Sequence, residues 1–136
     1  MARGRRTVSR MEKAVVNGTT TVSGATPAVI AQAIQLDGGE VEAQVKRIML
    51  SLGAYSGDQS AAFKLGLFQF QPTVANFNED EAIVISGAVG NQCWHNETIT
   101  MRVPKDWYVS LLVEQRDATK TTELTYSLQL NYKVLN

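Results

Sequence analysis

Between Glu123 and Val134 the residues alternate without exception. Leu124, Tyr126, Leu128, Leu130, Tyr132 and Val134 are apolar or aromatic, and Glu123, Thr125, Ser127, Gln129, Asn131 and Lys133 are polar. Side chains on an extended strand point to opposite faces with a period of two, whereas a helix would scatter this apolar set around its circumference. The segment is therefore a long strand with one buried and one wet face. Such a strand needs others to cover its apolar side, and the rest of the chain must supply them.

It does so in short runs separated by turn signals. Ala14–Ser23 is rich in Thr and Val, with Asn17-Gly18 as a turn candidate. In the run 25–36 the apolar residues Val29, Ile30, Ala33 and Ile34 fit either a strand or a short helix. After the turn signal Asp37-Gly38-Gly39, Val41, Ala43 and Val45 are apolar on odd numbers, and Ile48, Leu50 and Leu52 on even ones. One extra residue in a strand produces such a phase change, so a β-bulge is expected at Lys46-Arg47. A helix over Glu40–Leu52 is the competing reading. Further strands are expected at Phe63–Phe70, Ala82–Ala88, Thr98–Val103 and Trp107–Val113, the first stopped by Pro72. Gln115–Thr121 reads as a polar turn joining the last two strands into a hairpin. About eight strands with little helix make an all-β antiparallel sandwich or barrel.

The 136 residues bound one domain, and 44% hydrophobic residues are enough to build its core. The lone Cys93 excludes an internal disulfide framework. No apolar run reaches the roughly 18–20 residues of a membrane span, and the arginines near Met1 have no apolar core behind them, so neither a membrane partner nor a secretory signal is expected. The net charge of zero conceals a polarity. Residues 1–13 carry Arg3, Arg5, Arg6, Arg10 and Lys13 against Glu12, a balance of +4, and the remaining chain carries −4. Residues 1–13 are accordingly expected to be a flexible basic arm preceding a single domain over 14–136. Four of the five cations are arginine, whose planar fork takes phosphate oxygens in pairs, so nucleic acid is the expected partner of the arm.

No catalytic constellation is present. Cys93, His95 and Glu97 alternate, but a closed metal site needs a fourth ligand and the chain has no second His or Cys. A polar loop is the expected home of His95. Glu79, Asp80 and Glu81 are consecutive, which suits a solvated or cation-holding loop rather than an acid/base pair. No enzyme activity, resident metal or cofactor is expected. Nor does any stretch interleave aromatic and basic residues as single-strand platforms do. Tyr126, Tyr132, Trp107 and Phe68 read as core.

An arm bearing Arg3, Arg5, Arg6 and Arg10, followed by strands such as Phe63–Phe70, Trp107–Val113 and Leu124–Val134, resembles the single jelly-roll capsid proteins of small icosahedral viruses. The resemblance is one of layout over the whole chain, with shorter loops and a shorter arm than most of that family. It implies two facing four-stranded sheets, a virion protein assembling with copies of itself, and arms directed onto the genome. About sixty copies at +4 would place roughly +240 inside a shell. Nucleic-acid contacts would come from Arg3, Arg5, Arg6, Arg10 and Lys13, then from Lys46 and Arg47 beside the bulge. The alternatives are a non-viral sandwich module, either a small trimer or a carbohydrate binder, and a phage-type decoration or tail protein.

Overall fold

The computed structural model describes residues 11–57, 60–77, 83–89 and 93–135. Eight strands follow one another: β1 (Met11–Ser23), β2 (Ala28–Ile34), β3 (Glu42–Gly57), β4 (Ala61–Phe68), β5 (Ile83–Ala88), β6 (Cys93–Val103), β7 (Tyr108–Gln115) and β8 (Thr121–Leu135). They form two antiparallel four-stranded sheets, in the orders β1-β8-β3-β6 (sheet A) and β2-β7-β4-β5 (sheet B). The chain pairs first with last, second with seventh, third with sixth and fourth with fifth, as if one long hairpin had been rolled up. Rolling then brings β8 against β3 and β7 against β4. This is the jelly roll, two Greek keys in a double sheet.

The core lies between the sheets. From sheet A it takes the even-numbered residues of β8, the inward side of β3 (Val45, Ile48, Leu50, Leu52) and Val22; from sheet B it takes Phe63, Leu65, Val109, Leu111 and Val113. The bulge is where the phase change put it: register with both neighbours of β3 shifts between Val45 and Arg47, around Lys46. A second bulge, between Ile30 and Gln32, explains the ambiguous spacing in β2. Val29, Ala31 and Ile34 pack on the main core, while Ala28 and Ile30 join a cluster with Phe68, Phe77 and Leu112. In that cluster the connection after β4 inserts the buried Phe77 against Phe68, ring centres 4.6 Å apart.

Three local expectations are corrected. Asn17-Gly18 is not a turn: both residues lie inside β1, opposite Ser127 and Tyr126. A side chain at Gly18 would put its Cβ 2.7 Å from the Tyr126 hydroxyl, so the glycine leaves room for a ring. That hydroxyl donates to Ala31 O (3.0 Å) and accepts from Gln32 Nε2 (2.8 Å), tying the sheets together through the core.

The hairpin expected around Gln115–Thr121 does not form, because β7 and β8 belong to different sheets. Their connection is held by the buried Gln115. It donates to Thr122 Oγ1 (2.9 Å) and accepts from the Asp117 amide (3.1 Å) and from Ser60 Oγ. A polar stretch after a strand has the same composition whether it turns back within a sheet or crosses to the opposite one.

Finally, β6 begins at Cys93 rather than near Thr98, so His95 is on a strand opposite Leu50.

Candidate nucleic-acid interface

Of the basic residues nominated from sequence, Arg3, Arg5, Arg6 and Arg10 lie outside the described residues, as does the acidic run Glu79–Glu81. Lys13 lies on β1. Lys46 sits at the β3 bulge, partly buried, and Arg47 follows it, exposed.

Register shows what this places together. Lys13 on β1 is opposite Asn131 on β8; Asn131 is opposite Arg47 on β3; Arg47 is opposite Thr98 on β6. Directly paired residues in an antiparallel sheet share a face, and strands are about 4.8 Å apart, so Lys13 and Arg47 stand roughly 10 Å apart on one side of the sheet. That side is the outer one: Lys13 and Arg47 are exposed, while Ala14 and Ile48, next to them in sequence, pack on the core. The neighbouring row is Met11, Lys133, Gln44 and Arg102. Four cations from four strands therefore occupy the end of sheet A at which the chain enters β1.

Their partners differ. Arg102 donates through Nε to Glu42 Oε2, and this hydrogen bond, with the carboxylate charge behind it, holds the guanidinium above its ordinary pKa. Arg47 instead donates to neutral oxygens, Asn96 Oδ1 at 3.2 Å and Thr98 Oγ1 at 3.5 Å, which steady the fork without cancelling its charge. Among the described residues, Lys13, Arg47 and Lys133 form no ion pair.

Continuing away from the cations, the face carries Val15, Gln129, Met49 and Asn96, then Asn17, Ser127, Ser51 and Trp94. Trp94 is 69% exposed, a large value for an indole. Beside it is a shallow hollow of ≈ 180 Å³ lined by Met49, Leu50, Ser51, Trp94, Ser127 and Gln129. Sequence reasoning missed both Lys133 and Trp94 as members of a basic face. Lys133 was legible as an odd-numbered residue of the alternating strand. Trp94 was not, since it joins the face only through pairing of β6 with β3.

The other candidates for chemistry give no assembled site. His95 turns towards the sandwich, edge-on to Phe63 at 5.0 Å between ring centres, with Nδ1 4.0 Å from Glu97 Oε2. Among the described residues no three His, Cys, Asp or Glu side chains converge as metal ligands. A wider hollow of ≈ 420 Å³ between the start of β4, the end of β5 and the β7–β8 connection includes Ser60, Ser86, Arg116 and Asp117. Asp117 there is committed to its own turn: hydrogen bonds from the Thr119 hydroxyl (2.7 Å) and amide (2.9 Å) hold its carboxyl below the ordinary range. Tyr132 donates to Asp37 Oδ1 at 2.9 Å, and burial, followed by that bond, pushes its phenol up to about 12.

No family model matches the chain, and no curated protein matches it in sequence. Solved structures similar in shape include the following three. One is from Bacillus endospore appendages, described as a novel family of disulfide-linked pili (TM-score 0.48, 12% identity, 96% of each chain covered). The second is the Yersinia pseudotuberculosis-derived mitogen (TM-score 0.44, 12% identity, 92% of this chain and 89% of that chain). The third is from the Gx strain of infectious bursal disease virus (TM-score 0.35, 8% identity, 99% of this chain and 44% of that chain). Likenesses this distant carry no argument about function.

Proposed function

We propose that the chain is the capsid subunit of a small icosahedral virus, a structural rather than catalytic protein. Copies of it assemble into a closed shell, and the shell packages nucleic acid through Arg3, Arg5, Arg6 and Arg10, helped by Lys13, Lys46 and Arg47. The observation that carries this reading is the row Lys13–Asn131–Arg47. Two cations distant in sequence meet on the outer face of sheet A, at the end where the arginine-bearing residues 1–10 join β1. A shell with that end turned inward adds every subunit's arginines and row to one lumen.

Contact with phosphates releases counterions and needs no base sequence, which suits packaging of a whole genome. Apolar surface for contacts between copies is available on the connection after β4, where Phe70 and Val74 are exposed.

The test is particle size by electron microscopy and light scattering, with the ratio of nucleic-acid to protein absorbance on the same fraction. Closed particles of tens of subunits carrying nucleic acid are expected. A monomer or trimer with a pure protein spectrum refutes the shell. Replacing Arg3, Arg5, Arg6 and Arg10 with alanine should leave the fold intact, lower the packaged nucleic acid and flatten the salt dependence of binding by about 3 in log–log slope. Unchanged nucleic-acid content refutes the role of the arm.

A further inference from the structure

We propose that the outer face of sheet A is itself a binding surface for single-stranded nucleic acid, with the Trp94 indole as stacking platform and Lys13, Arg47 and Lys133 as phosphate contacts. This deepens the nucleic-acid part of the proposed function, and it differs from arm binding in having a form of nucleic acid that it prefers.

Sequence-tolerant binding of single strands combines a positive track for the backbone with aromatic faces on which unpaired bases stack. Both parts are on this face. The three cations lie in two adjacent rows and have no acidic partner among the described residues. The face's own acidic residues are Glu42, taken up by Arg102, and Glu123, eight residues along β8 from Asn131 and so about 27 Å away. Trp94 is four residues along β6 from Thr98, the partner of Arg47, which sets the indole about 13 Å from the guanidinium's strand position. A phosphate at Arg47 and a base at Trp94 would thus belong to different nucleotides of one strand running along the sheet.

The hollow beside Trp94, at ≈ 180 Å³, is below the ~300 Å³ of the smallest ordinary ligand pockets, so it suits one flat group rather than a whole small molecule. Duplex offers no unpaired base to the indole and has only the cations to hold it. Charge also separates this occupant from another copy of the chain: the rest of the protein beyond residue 13 is net acidic, but a phosphate strand supplies one negative charge per nucleotide.

The experiment uses the full-length protein with Arg3, Arg5, Arg6 and Arg10 changed to alanine, so that the face is measured alone. Dye-labelled oligothymidylate and a duplex of equal length are titrated with it, read by fluorescence anisotropy at several salt concentrations. Trp94→Ala should weaken single-strand binding about tenfold at unchanged salt slope, and leave duplex binding as it was. Arg47→Gln should lower the slope by about 0.7 for the single strand. Both residues are exposed, so neither change threatens the fold.

The proposal is overturned if the arm variant binds no single strand, or if Trp94→Ala affects both ligands equally or neither. Light scattering on the same variants separates the two readings. If Trp94→Ala alters particle size at unchanged affinity, Trp94 is a contact between copies, and this proposal fails while the shell stands. The expected binding by a protein that never forms particles has the opposite meaning: the face stands and the shell falls.

Discussion

Gly18 and Tyr126 offer a sharp test of how sheet A is joined to sheet B. The ring of Tyr126 lies over Gly18 and reaches β2, and an added Cβ would sit 2.7 Å from its hydroxyl oxygen and 3.0 Å from Cζ. Gly18→Ala must therefore displace the ring and strain or break two hydrogen bonds, to Ala31 O and from Gln32 Nε2. Each bond contributes about 1 kcal/mol. Crowding of a packed site costs a further ~1 kcal/mol, and replacing a strand glycine by alanine returns about 0.5–1 kcal/mol of backbone entropy. The expected loss is about 2 kcal/mol. Tyr126→Phe alone forfeits the same two bonds, about 1.5–2 kcal/mol, and leaves the ring in place.

In the double variant the shorter contact is gone and the bonds cannot be lost twice, so the combined cost should be about 2 kcal/mol rather than nearly 4. Urea denaturation of the three variants, on unassembled protein so that subunit association does not enter, measures the coupling. Costs that add to within about 0.5 kcal/mol would refute the reasoning, because independent sites behave in that way.

Gln115→Ala should cost about 1–3 kcal/mol, read as a lowered melting temperature, because it removes the hydrogen bond to Thr122 Oγ1 and the acceptor of the Asp117 amide. For pH, the sign follows from Tyr132. Its folded pKa of about 12 exceeds the ordinary tyrosine value of 10.0, so its contribution is complete below pH 10 and is lost as pH rises towards 12. Tyr132→Phe should flatten that part of the stability profile, and an unchanged profile would show that the phenol is not linked to folding.

The sequence made some parts of this fold plain and left others hidden for a common reason. Alternation in β8 and the bulge at Lys46 are written in consecutive residues, since burial of one side of a strand forces a period of two and a bulge interrupts it. Whatever depends on which strands are neighbours is not local. Asn17-Gly18 has the chemistry of a tight turn, yet it is occupied by a ring from a residue more than a hundred positions away. The polar run after β7 resembles a hairpin loop and instead crosses between sheets. Trp94 sat among residues of loop character, and pairing with Ser51 is what placed it on the outer face. Lys13 and Arg47 were each legible as cations; their meeting across Asn131 was not.

The position of β8 also sets an order of events. It lies between β1 and β3, so sheet A has no centre until the last strand arrives, however early the first is made. A nascent chain holding β1 to β7 can assemble sheet B, whose four strands are then all present, while β1 has no neighbour in sheet A and β3, paired with β6, keeps one edge open. Closure joins ends more than a hundred residues apart, the kind of contact that makes β-proteins slow to fold and exposes strand edges meanwhile. The row of Lys13, Asn131 and Arg47 is completed by the same strand. That part of the surface proposed to meet the genome is therefore complete only once β8 has docked, whereas the arginines of residues 1–10 are present from the start.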